Sequence, residues 1–223
     1  VMGSVDFSYN DIKGVDTSNG TYKGINASTV SLSYNKIEKF PSELFAAGSP
    51  ITSIDLSGNQ MRTIPKGSIK GKNAYLLQVI DLRFNKLTSL SDDFRSTTLP
   101  YITNMDVSYN CFSEVPTQPL NSANLRAFAI NHQRDANDNR CLRTWPTGIT
   151  SCPSLIQFQI GSNDIRKVEE KLTYHLYIVN IKDNPNISID VTSVCPYIKA
   201  GAYRLFYDKT QDIRGCDALD LEN

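Results

Sequence analysis

The sequence predicts an α/β solenoid: a curved right-handed coil of stacked repeats, with a parallel β-sheet on the concave face and irregular, 3-10 or short helical arms on the convex side. Two observations predict this fold class. A short segment of alternating apolar residues that ends in Asn recurs along the chain, and successive copies are 21 to 30 residues apart. One repeat of this length cannot bury its apolar face alone, so neighbouring repeats must stack.

Each recurring segment predicts a short strand followed by an inward turn. In residues 53–59, Ile54 and Leu56 alternate with polar residues before Asn59, and this period of two buries one strand face. The amide of the last residue, which we call the anchor, can satisfy backbone groups left unpaired at the turn. Gln133 has one methylene too many for this role. The predicted anchors are Asn10, Asn35, Asn59, Asn85, Asn110, Gln133, Asn163 and Asn184.

The arms after the anchors repeat as well. Several contain a second apolar residue followed by Pro, as at Pro41, Pro65 and Pro116, where the fixed φ of proline suits an irregular return. Apolar residues about ten positions after their anchors are predicted to fill the convex side of the core. These residues are Phe45, Ile69, Phe94 and Leu120.

On these anchors and arms, the chain resembles the leucine-rich-repeat family in its typical 24-residue class. It resembles the bacterial surface or secreted members more than the plant receptors, because the plant Gly-x-Ile-Pro signature is missing. The resemblance covers essentially the whole chain. It implies eight coils over residues 1–192 and a C-terminal cap over 193–223, which contains a degenerate last repeat with Thr210 in the anchor slot.

The repeat is interrupted once, by about seven extra polar residues near 134–140. We expect this insertion to protrude as a loop. Two interpretations stay open, because loops on rigid scaffolds often carry function, whereas surface insertions are also tolerated without one.

The five cysteines bear on both the cap and the compartment. Cys195 and Cys216 resemble the disulfide-clamped terminal cap of extracellular leucine-rich-repeat proteins. Cys141 and Cys152 would close a short loop around Trp145, and Cys111 would then be left over. We expect an extracellular or cell-surface location; five reduced thiols in a cytoplasmic protein are the alternative.

Composition argues against several function classes. The 23 basic and 23 acidic residues cancel, so neither nucleic-acid binding nor a polybasic membrane patch is indicated. No apolar run approaches the roughly 18 residues that direct membrane insertion needs. The chain lacks the common nucleophile, zinc-protease and phosphate-binding motifs. We therefore expect no enzyme activity, no cofactor and no metal site.

Strand side chains that do not enter the core should form the concave surface. Two features there are candidate binding elements. One is an acidic row with a basic neighbour, and the other is an aromatic row at the edge of the concave face. Each has a structural alternative: the acids can simply reflect a common repeat consensus, and the aromatic rings can simply pack on one another along the stack. The candidates are Asp55, Asp81, Arg83 and Asp106 in the acidic row and Tyr9, Tyr34, Phe84 and Tyr109 in the aromatic row.

The leading hypothesis is a non-enzymatic module that binds a protein or glycan through the concave face of a secreted or surface protein. The chain begins directly on a strand pattern, so we expect upstream sequence. A second hypothesis is therefore a recognition arm of a larger receptor or enzyme whose active domain lies upstream. A third is a structural or homotypic adhesion module.

Overall fold

Short strands recur once per repeat and lie side by side in register. The computed structural model describes residues 3–15 and 24–220. Within these ranges, nine strands form one parallel sheet, which confirms the predicted solenoid. In sheet order they are β1 (Gly3–Asp6), β2 (Ala27–Ser31), β3 (Ser53–Asp55), β4 (Val79–Asp81), β5 (Asn104–Asp106), β6 (Ala127–Ala129), β7 (Gln157–Gln159), β9 (Ile178–Asn180) and β11 (Arg204–Phe206).

The return arms are short and mostly irregular, as predicted. They contain the helices α1 (Ser42–Ala46) and α2 (Cys195–Lys199). They also contain 3-10 turns at Ala74–Leu76, Asp92–Phe94, Pro119–Asn121, Ile149–Ser151 and Asp217–Asp220. The predicted convex core residues Phe45, Ile69, Phe94 and Leu120 are all buried.

The last coils contain a second parallel sheet that the sequence pattern did not predict. Its strands are β8 (Lys167–Val168), β10 (Ser188–Asp190) and β12 (Asp212–Arg214), in the order β12-β10-β8. Asn163 and Asn184 are only 21 residues apart. An extended arm crosses the coil with fewer residues than a helical turn, because a strand rises about 3.3 Å per residue.

The anchor amides form a continuous hydrogen-bonded ladder through the solenoid. Asn59 is typical: its amide nitrogen donates to the carbonyls of Leu56 and Ser57 in its own coil and of Leu32 in the previous coil. Its amide oxygen accepts from the Ile37 N–H. One buried side chain thus ties two coils together. The same pattern recurs at Asn35, Asn85, Asn110, Asn163 and Asn184.

The two glutamines in the ladder differ from this pattern. Gln133 bonds to Val107 and Asn131 but not to the third carbonyl, as its extra methylene predicts. In the last repeat, Thr210 was predicted in the anchor slot, but threonine has no side-chain amide to donate. Gln211 takes the role and donates to the carbonyls of Ile181 and Asn184, because the longer side chain reaches back from one position further along.

The insertion folds into a tight loop whose arginines reach into the next coils. Asp135 caps the loop by accepting hydrogen bonds from the backbone N–H groups of residues 137 and 139. At the base of the loop, the backbones of Arg134 and Arg140 form an isolated antiparallel β-bridge. Arg134 donates to the Ser162 carbonyl, and Arg140 donates to the Asn163 carbonyl. Arg140 also pairs with Asp183. The insertion therefore ties coils six, seven and eight together.

Of the two disulfides expected from the sequence, only the C-terminal one is present. Cys195 and Cys216 form a disulfide that closes the last coil. The expected Cys141–Cys152 bridge is wrong, since both are free thiols, as is Cys111. Cys141 lies at the start of its arm against the Phe112 carbonyl of the previous coil, whereas Cys152 lies at the far end beside the Gly148 carbonyl.

Loss of a ladder amide should destabilise the whole solenoid. We expect Asn59→Ala to lower the free energy of unfolding by about 2–4 kcal/mol, because several buried backbone groups lose their partner. Urea denaturation followed by circular dichroism measures this change. Asn10→Ala is the matched control, because Asn10 is exposed and, among the residues that the structure describes, its side chain bonds to carbonyls of its own coil and to none of another coil. Its expected loss is below about 1 kcal/mol, and equal losses for both variants would contradict the ladder's role.

Thiol chemistry tests the pairing. Burial raises the pKa of Cys111 and Cys141, and raises that of Cys152 to about 11. Native protein at pH 8 should therefore react slowly with iodoacetamide, since the thiolate is the nucleophile. After unfolding without reductant, these three cysteines should be alkylated, while a peptide linking Cys195 to Cys216 survives. Peptide mapping by mass spectrometry that finds Cys141 bonded to Cys152 would refute the assignment.

Candidate functional site

The concave face carries ordered rows of side chains because the strands pair without a shift from β2 to β11. Alternate strand residues enter the core, and the others face outward in columns. The central column contains Ser31, Asp55, Asp81, Asp106, Ala129, Gln159, Asn180 and Phe206. The chain thus presents acidic, small, amide and aromatic groups in succession along one line.

The aspartates of this column have a structural task in addition to any role in binding. Each accepts a hydrogen bond from the N–H two residues later: Asp55 from Ser57, Asp81 from Arg83 and Asp106 from Ser108. An Asx bond of this kind satisfies a donor where the strand ends. Asn180 makes the same bond to the Lys182 N–H, so the task needs a carbonyl-type oxygen and not a charge.

Arg83 neutralises part of the acidic row. Its guanidinium donates to both carboxylate oxygens of Asp81 at 2.6–3.0 Å, and its Nε lies 3.8 Å from Oδ2 of Asp106. The hydrogen bond to Asp81 raises the pKa of Arg83. Burial raises the pKa of Asp106, which indicates a carboxylate that is incompletely solvated and incompletely paired.

The aromatic row lies at the rim of the sheet, one residue before each anchor. Tyr9, Tyr34, Phe84 and Tyr109 all have φ between 52° and 57°, in the left-handed region that non-glycine residues rarely adopt. His132 in the next coil has the same backbone conformation. The recurring left-handed turn places each side chain at the same point of its coil, so the rings lie in line.

The rings pack against one another. The ring centroids of Tyr9 and Tyr34 are 4.7 Å apart, those of Phe84 and Tyr109 are 4.3 Å apart, and His132 continues the second stack at 4.7 Å. The coil spacing of about 4.8 Å brings successive rings to stacking distance. Gly58 interrupts the row, and Tyr34 covers it. A ligand that lies alongside either stack therefore meets ring edges, whereas the end ring Tyr9 is 76% exposed.

Two depressions on the concave face were not found from the sequence. One, of about 230 Å³, lies over Ala127 and Ala129 between the side chains of β5 and β7. The second, of about 340 Å³, is lined by Gln157, Gln159, Ile178, Asn180, Arg204 and Phe206. Coil six carries alanine at both outward strand positions, and that truncation was the available signal.

A larger cavity of about 660 Å³ lies between the arms of coils six and seven, but its charged side chains already have partners in the chain. Arg143 and Arg166 both contact Asp164, and Lys167 contacts Glu169 at 2.8 Å. Trp145 donates to Glu170. The internal pairing leaves this cavity less suited to a ligand than the concave depressions.

The described residues contain no cluster of metal-ligating side chains, and both histidines make local contacts. Within residues 3–15 and 24–220, no group of three or more His, Cys, Asp and Glu side chains is arranged to hold a metal ion. His175 bonds to the Thr150 carbonyl and to Thr173, and His132 stacks on Tyr109. None of the helices in these ranges has the length and apolar character needed to cross a membrane.

Comparisons with known proteins agree with the fold. No family model matches the chain. Chicken Tsukushi is 25% identical over 189 residues, which are 82% of this chain and 48% of Tsukushi. A leucine-rich repeat protein from Bacteroides thetaiotaomicron is 71% identical with a TM-score of 0.94, and one from Bacteroides eggerthii is 60% identical with a TM-score of 0.93.

Both Bacteroides structures match over 100% of this chain, which covers 28% and 38% of theirs. The chain therefore spans between about a quarter and a half of the length of these relatives. The same assignment follows from two observations. The chain is similar to these leucine-rich repeat proteins over its full length, and it has an in-register parallel sheet with a ladder of anchor amides. The chain belongs to the leucine-rich-repeat family.

Proposed function

We propose that this chain is a non-enzymatic recognition module that binds a macromolecular partner through its concave face. The observation that carries the proposal is the pair of depressions on an otherwise regular sheet, lined by polar side chains of which two have no partner among the described residues. No described residue hydrogen-bonds to the side-chain amides of Asn104 or Gln157, which line these depressions. Amides held at a surface in this state suit recognition, because they both donate and accept.

The acidic row extends into the first depression, which Asp81 and Asp106 line, and the aromatic row flanks the depressions; we include both rows as contacts. Asp55, Asp81, Arg83 and Asp106 border the face over coils three to five, while the rim stacks of Tyr9 with Tyr34 and Phe84 with Tyr109 present ring edges. Tyrosine and arginine are enriched in binding hot spots. The partner is a protein or a glycan, with the protein favoured because the aromatic ring that lines the first depression, Phe128, is buried and offers no face on which a sugar could stack.

We also propose that the module works outside the cytoplasm, as the recognition part of a larger protein. The Cys195–Cys216 disulfide supports an oxidising compartment, because such bonds are rare where thiols are kept reduced. The greater length of the bacterial and animal relatives supports the larger protein. A cytoplasmic protein with reduced thiols is the alternative, and the peptide mapping described above distinguishes the two.

Binding to protein and glycan arrays tests the face. Gln159→Arg places a bulky charge on the wall between the two depressions, and we expect it to weaken binding by roughly tenfold or more. Asn121→Arg is the matched control on the convex 3-10 turn and should bind like the unaltered chain. Both variants should keep the melting temperature. Loss of binding in Asn121→Arg alone would move the site to the convex side and refute the proposal.

A double variant, Tyr34→Ala and Tyr109→Ala, separates the aromatic margin from the depressions. If the aromatic row contributes contacts, this variant binds more weakly while keeping its fold. Undiminished binding would confine the site to the depressions.

A further inference from the structure

The first depression exists because one coil lacks side chains that its neighbours have. Ala127 pairs in register with Asn104 and Gln157, and Ala129 pairs with Asp106 and Gln159. Two methyl groups therefore form a floor between longer polar walls. The walls are two strand spacings apart, or about 9.6 Å, so the slot admits one extended side chain or one planar group.

The chemistry of this slot favours a cation. Asp106 accepts a bond from Ser108 through one oxygen, while its other oxygen lies 3.8 Å from Arg83, beyond hydrogen-bond distance. Asp55 and Asp81 lie next in the same column, and Arg83 is the cation in contact with Asp81 and Asp106. The three carboxylates thus outnumber the one guanidinium. The free amide of Asn104 can turn its oxygen toward a donor, and an anionic ligand would be repelled.

A sugar fits the slot less well than a basic side chain. Stacking of a sugar ring requires an exposed aromatic face. The aromatic ring beneath this slot belongs to Phe128, which is buried in the core, and none of the rim rings lines the slot. The methyl floor instead suits the alkyl stem of lysine or arginine, whose charged end would reach the Asp106 wall.

The second depression defines the spacing between two side chains of a bound peptide. It lies over Ile178 and Asn180 of β9, two strand spacings from β6, and is bordered by the exposed ring of Phe206. About 9.6 Å corresponds to three residues of an extended segment in the polyproline II conformation at roughly 3.1 Å each, and its three residues per turn bring side chains at this separation to the same face. Ile178 and Phe206 favour an apolar side chain there. Gln157 and Gln159 form the wall between the depressions, beneath the intervening backbone of such a ligand.

We propose that the concave face binds an extended peptide segment of a protein partner, with a lysine or arginine over Ala127 and Ala129 and an apolar side chain three residues away beside Phe206. This inference rests on the proposed function, since it names the partner chemistry of the same face. It commits to a peptide, and glycan binding at these depressions would overturn it.

A displayed library of linear peptides, selected on the intact chain, provides the first test. Selected sequences should be enriched in a basic residue and an apolar residue at a separation of three, in one or the other order. Selection without a basic residue at a constant position would overturn the inference.

Isothermal titration of one selected peptide gives the sharper test. The basic residue is made arginine and compared with citrulline, which has nearly the same shape without the charge. We expect the citrulline peptide to bind the unaltered chain roughly tenfold or more weakly, because a charge-assisted contact in a partly buried slot is lost. Equal affinities of the two peptides would refute a charge-recognising slot.

Variants of the chain, combined with the two peptides, make a double-mutant cycle. In Asp106→Asn, the arginine-to-citrulline ratio should fall to about one. The fold should persist, because Asn180 shows that an amide oxygen can make the same turn bond. Ala129→Gln should fill the slot and weaken both peptides equally. Asp92→Asn, an exposed carboxylate on the convex turn, is the charge-matched control and should leave the ratio unchanged.

The two proposals fail in different ways. If Gln159→Arg abolishes binding of a partner while the citrulline ratio stays at one, the concave face is the site and only the peptide inference is refuted. If Gln159→Arg leaves every array ligand unaffected, both are refuted.

Discussion

The amide of the anchor residue is the interaction on which the rest of this solenoid depends. After each strand the chain must turn inward, and it does so through a left-handed residue that costs on the order of 1 kcal/mol for a non-glycine side chain. The turn leaves carbonyl and N–H groups of two coils facing the interior. Asn59 and its equivalents satisfy these groups at once, so each coil's turn is stable only when the next coil is present.

The same ladder determines what the outer surface looks like. Because it holds successive coils in register, residues equivalent in the repeat become neighbours in space. Rim rings then stack at 4.3 to 4.7 Å, and outward strand residues form columns. A single truncated coil, as at Ala127 and Ala129, becomes a slot with matched walls. The irregularities against this background are therefore where a ligand can be recognised.

In the C-terminal part of the chain, other contacts replace or supplement the ladder of asparagine amides. Gln211 supplies the ladder amide in the last repeat, Arg134 and Arg140 bond to turn carbonyls of the following coils, and a disulfide closes the end. Each contact joins segments about 20 to 30 residues apart in the chain. The insertion that interrupts the repeat thus strengthens the stack that it would otherwise weaken.

The sequence by itself determined the recurring strands through Asn184, the buried strand face, the convex core residues and the outward rows, because all of these follow from a period of two within a repeat of fairly constant length. Tertiary structure alone decided which cysteines pair, that Gln211 replaces Thr210, that the rings cover one another, and where the depressions lie. Those features depend on side chains from adjacent coils, whose lengths and directions relative to one another become defined only when the coils stack.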